Sequence, residues 1–106
     1  MRIETQNPAN VIQISDVEKL GLDPITVITQ DFEPGCGRVI VECYGMAWAA
    51  YWGSMPDHRT VIKFMASMDS TYLMNKLSRP NQTRKDDLYL GRIVAAIVNA
   101  LNPIQA

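Results

Sequence analysis

Two cysteines, Cys36 and Cys43, and one histidine, His58, are the side chains best suited to nucleophilic or acid–base work in this chain. Cys36 stands between Gly35 and Gly37 and next to Arg38, where an exposed thiol beside a cation would be a candidate nucleophile. Its partner base would have to be His58, the only imidazole, and nothing in the spacing forces the two together. The ordinary reading is that Cys36 is a turn residue, that Cys43 shares the alternation of Val39 and Val41 in a core, and that His58 sits on the surface near a helix start. Metal binding has no support, since one histidine and two separated cysteines do not make a structural zinc site. The phosphate-binding, dinucleotide-binding, nucleophile-elbow and zinc-protease motifs are all absent, so no catalytic residue, cofactor or metal is expected and the chain reads as non-enzymatic.

Recognition chemistry is better represented. Trp48, Tyr51 and Trp52 fall within five residues of an uncharged stretch, and Trp and Tyr are the usual anchors of protein interfaces. Strict alternation puts Trp48, Ala50 and Trp52 on one face and Ala47, Ala49 and Tyr51 on the other. Both faces are therefore apolar. Either this strand is central and covered twice, or one of its aromatic faces is exposed. Trp48, Tyr51 and Trp52 are taken as partner-binding anchors, with Asp31 and Glu33 or Arg79, Arg84 and Lys85 as polar contacts. The competing reading is that both Trp residues belong to the core.

A second surface is cationic. Lys76, Arg79, Arg84, Lys85 and Arg92 gather around residues 76–92 and could contact phosphates, with sheet aromatics to stack bases. Against that stand an overall pI near 5.7 and an acidic aromatic half. Residues 1–57 carry eight acids and three bases, and residues 58–106 three acids and seven bases, giving −5 and +4 within a net charge of −1. Such a split suits opposite faces meeting in a homodimer, or one face meeting a charged partner. Nucleic-acid binding is the alternative function, and a protein partner the main one.

The elements that position these residues follow from periodicity. Residues 1–9 form a polar arm before a short strand at 11–14. Residues 24–32 alternate as a β-branched strand, with Ile25, Val27 and Thr29 on one face. Residues 33–37 make a turn, residues 38–44 run back as a strand, and Gly45 breaks it ahead of the aromatic strand at 47–52. After Gly53 the period changes: Val61, Phe64, Met65, Met68, Tyr72 and Leu73 recur at helical spacing, with Thr60 or Asp57 and then Asp69 or Ser67 as caps of two short helices. Residues 78–85 form a mobile loop. Asp86 and Asp87 open a last helix that Asn102-Pro103 ends. The prediction is an α+β domain, a three- to four-stranded antiparallel meander followed by two or three helices packed on it.

With 106 residues, 47% of them hydrophobic, the chain is the size of a single domain spanning 1–106. Cys36 and Cys43 would lie about 23 Å apart along an extended strand, so they are expected as free thiols in a reducing cytoplasm. No apolar run reaches the ~20 residues of a membrane span, and the start Met1-Arg2-Ile3-Glu4 lacks a signal peptide's apolar core.

Three motifs carry a family resemblance: Asp23-Pro24-Ile25-Thr26-Val27, Glu33-Pro34-Gly35-Cys36-Gly37-Arg38, and the run from Cys43 through Gly53. Together they resemble a set of small accessory proteins of enterobacterial phages and prophages, over most of residues 1–77, fading in the loop and last helix. The resemblance implies a protein made in the bacterial host cytoplasm that binds and inhibits or redirects a host protein. By analogy of genome setting this would be an anti-defence factor, acting on a CRISPR or restriction complex.

Overall fold

The computed structural model describes residues 1–105. Four strands, β1 (Asn10–Ile14), β2 (Ile25–Glu33), β3 (Cys36–Cys43) and β4 (Met46–Trp52), precede three helices, α1 (Val61–Ala66), α2 (Ser70–Leu77) and α3 (Arg84–Gln105). The sheet is an antiparallel meander in the order β1-β2-β3-β4, so β1 and β4 are its edges. The protein is α+β, as the strand-then-helix pattern predicts.

Two turns set the register. Pro34 and Gly35 alone join β2 to β3, Gly35 taking φ +81°. A Cβ there would lie 3.0 Å from the Met55 carbonyl oxygen, so glycine is needed for both conformation and space. The expected turn at 33–37 is thus shorter, and Cys36 is the first residue of β3, buried rather than displayed. Tyr44 and Gly45 join β3 to β4 with φ 51° and 78°, both left-handed, which is the conformation that matches the right-handed twist of a two-residue hairpin.

One face of the sheet is the core. Ile25, Val27, Val39, Val41, Cys43, Trp48 and Trp52 point inward and meet Val61, Phe64, Met65, Leu73, Leu77, Leu90, Ile93, Val94 and Ile97 from the helices. The helical stripe follows the spacing seen in the sequence. Thr60 caps α1, its Oγ1 accepting from the Lys63 N–H, and Asp69 caps α2 by accepting from the Tyr72 N–H at 2.8 Å. Helix α3 begins two residues earlier than Asp86, because the Thr83 hydroxyl accepts from the Asp86 N–H and caps the turn containing Arg84 and Lys85. It also runs past Asn102-Pro103 to Gln105. Among the described residues no helix is long and apolar enough to cross a membrane.

Candidate functional site: the open face of the sheet

All three helices cover the same side, so among the described residues the other side of the sheet has no helix over it, and only the arm at Asn7 reaches it, against the buried Gln30. Register lines its side chains up in rows. The middle row crosses all four strands as Val11, Ile28, Ile40 and Ala49. Val11 is 67% exposed, Ile28 and Ile40 are half-buried by their neighbours, and Ala49 is exposed. A polar row of Gln13, Thr26 and Glu42, ending in Ala47, flanks it on one side. On the other side lie Gln30, Arg38 and Tyr51.

That last row is tied together. The Arg38 Nε donates to Gln30 Oε1 at 3.0 Å, and Gln30 Nε2 donates to the Asn7 carbonyl at 2.6 Å. The Arg38 guanidinium lies 5.3 Å from the Phe32 ring centre, and the Phe32 and Tyr51 rings are 6.3 Å apart. Tyr51 is 55% exposed, and its Oη is 3.1 Å from the buried Cys36 Sγ. The hydrogen bond to Cys36, then the electrostatic influence of that sulfur and slight burial, push the Tyr51 phenol above its ordinary pKa of 10.0. The phenol stays protonated at neutral pH and offers a surface both an aromatic ring and a hydroxyl.

The residues expected to bind a partner separate onto different sides. Trp48 and Trp52 are 1% and 6% exposed and belong to the core, so only Tyr51 of the three aromatics can serve as a surface anchor. The choice between a central strand and an exposed aromatic face is settled by position: β4 is an edge strand, and its exposed face is the one with Ala47, Ala49 and Tyr51. The indole N–H of Trp48 donates to Gln82 Oε1 and that of Trp52 to the Tyr72 hydroxyl, both at 2.8 Å. Buried indoles without such acceptors would be costly.

Asp31 Oδ1 accepts from the Val61 N–H at 2.8 Å, which makes it a structural link to the start of α1. Glu33 is exposed at the end of β2. Both carboxylates line a cavity of 340 Å³ with Phe32, His58 and Arg59. His58 in this wall and its neighbour Asp57 take φ 53° and 58°, an uncommon pair for non-glycine residues. The Cys36 thiol bonds the Tyr51 hydroxyl, and among the described residues it has no hydrogen bond to His58.

The cations lie on the helix side. Lys76 stands 5.7 Å from the Trp52 ring centre and Arg79 5.4 Å from that of Trp48, closing over the rims of the two indoles. Arg92 lies over Tyr89 and donates to the Leu20 carbonyl. Arg84 and Lys85 are exposed in the first turn of α3 and make no ion pair among the described residues. Lys85 and Arg92 line a second cavity, of 390 Å³, with Asp23, Tyr44, Asp86 and Tyr89. Burial, then a hydrogen bond to the Cys43 thiol, pushes the Tyr89 phenol up to about 12. Both cysteines are free and buried, and among the described residues no three His, Cys, Asp or Glu side chains cluster to hold a metal ion.

The sequence reading missed the middle row. Its signal was present: Ile28 and Ile40 alternate against the core residues on β2 and β3, but only register shows them adjacent.

A family model described as a phage family matches residues 1–102. The chain belongs to this phage family. The match runs most of the way along α3, well past the stretch of motifs that carries the resemblance in the sequence. No curated protein and no solved structure matches the chain.

Proposed function

We propose that this phage-family protein is a cytoplasmic, non-enzymatic accessory factor that binds a host protein through the open face of its sheet. The observation behind this reading is the uncovered apolar row Val11–Ile28–Ile40–Ala49 beside Tyr51. A contiguous apolar strip rimmed by Arg38, Glu42 and Gln13 has the composition of an interface centre with a polar rim. Tyr51 contributes an anchor that loses little rotamer freedom on binding. The phage setting makes a host defence complex the class of target, and inhibition by occlusion the mode of action.

The test uses the whole tagged chain as bait for host lysate treated with nuclease. The expected result is a stoichiometric host protein that is lost when Val11→Lys and Ile40→Thr are combined, with cooperative unfolding of the variant preserved. It is retained when Arg84→Ala and Lys85→Ala are combined. Capture that survives the first pair and disappears with the second, or with nuclease, would overturn the reading in favour of the cationic segment.

A further inference from the structure

The free edge of β4 has a property separate from the open face. The strand is Met46–Trp52, MAWAAYW, with no charge, no proline and no bulge in its pairing to β3. Edge strands normally carry such devices, because a row of unpaired backbone groups is a template for another strand. Which groups are unpaired follows from the turn. Cys43 and Met46 close the two-residue hairpin, so Met46 bonds toward β3, and by alternation so do Trp48, Ala50 and Trp52. The backbone N–H and C=O groups of Ala47, Ala49 and Tyr51 therefore point to the open edge.

We propose that this edge pairs with the same edge of a second copy, antiparallel about a two-fold axis at Ala49, to give a continuous eight-stranded sheet. In that register Ala49 faces Ala49 of the second copy and Ala47 faces its Tyr51, these three positions being the ones with outward backbone groups. On the core side Trp48 comes opposite Ala50 of the second copy, and Trp52 opposite its Met46. Each aromatic ring meets a smaller or more flexible side chain, so the strand is self-complementary in volume as well as in hydrogen bonding. β1, the other edge, is a weaker candidate. It has five residues, and the arm leading into it is bound to β2, Asn7 Nδ2 donating to the Asp31 and Phe32 carbonyls at 3.1 and 2.8 Å. The dimer extends the open face across both copies. It does not depend on the host-binding reading.

Light scattering on the eluting full-length chain, over a dilution series, tests this. The wild type is expected at twice the 11.9 kDa chain mass when concentrated. Ala49→Lys and Ala49→Glu each place like charges directly opposite one another at the axis and should weaken self-association about tenfold or more. Mixing the two variants should restore the dimer, since Lys then faces Glu. Ala49→Pro serves as a second block, because it removes an N–H that the monomer leaves unbonded. A wild type that stays at the single-chain mass throughout, or variants that all remain dimeric, would overturn the proposal; so would a mixture that stays monomeric. A monomeric chain whose Ala49→Pro variant alone loses the host protein would assign the edge to a strand of the host instead.

Discussion

Residues 40 and 41 of β3 are neighbours in the chain, both aliphatic and both β-branched, yet they live in different solvents. Val41 is wholly buried against the helices, while Ile40 faces outward between Ile28 and Ala49, half-buried by its neighbours. The same contrast holds along β4 between Trp48 and Ala49. The helices α1, α2 and α3 all pack on the Val41 side, while the other side carries one apolar row between polar ones. The covered face holds the molecule together, and the other face is the one to which the proposed function assigns a partner.

The contrast is most easily broken at Trp48. Trp48→Ala opens a large cavity and removes the indole donor to Gln82, and should cost about 3–5 kcal/mol, a large share of a small domain's stability. Chemical denaturation would show it as a greatly lowered midpoint or as an unfolded chain. A sharper comparison uses the adjacent pair. Val41→Thr puts a hydroxyl among apolar core atoms and should cost about 1–3 kcal/mol, whereas Ile40→Thr should cost under about 1 kcal/mol because its hydroxyl reaches water. Equal costs would mean that the outer face is covered in solution. The smallest effect is electrostatic. The folded Tyr89 phenol titrates at about 12 against 10.0 in the unfolded chain, so the native state holds its proton longer. Its contribution is complete below pH 10 and fades as pH rises from 10 toward 12. Tyr89→Phe should flatten that part of a stability–pH curve.

The alternation of Ile25, Val27, Val39 and Val41 and the caps Thr60 and Asp69 were legible in the sequence, because strand faces and helix starts are local properties. The role of the aromatic strand was not. Trp48 and Trp52 were readable as anchors or as core, and their fate depends on acceptors 34 and 20 residues further on, Gln82 and Tyr72. Nothing within the strand announces those partners. The open face was half legible: each of Val11, Ile28, Ile40 and Ala49 sits at an outward position of its own strand, but their adjacency exists only through register. Cys36 was misplaced by a single step, since Pro34-Gly35 makes the turn without help from Gly37. Gly37 serves a different purpose, as a Cβ there would lie 2.5 Å from Val61 Cγ2 and 2.6 Å from the Gln30 carbonyl.

The burial of both indoles on one side also makes the protein optically one-sided. Trp48 and Trp52 report on the helix layer, each with its N–H held by a residue at or beyond α2, while Tyr51 and Tyr44 are the fluorophores most open to solvent. A ligand settling on the open face would leave the tryptophan emission maximum where it was and change the tyrosine signal. A shift of the tryptophan band would instead report that the helices had moved off the sheet, so two excitation wavelengths separate binding from unfolding without any label.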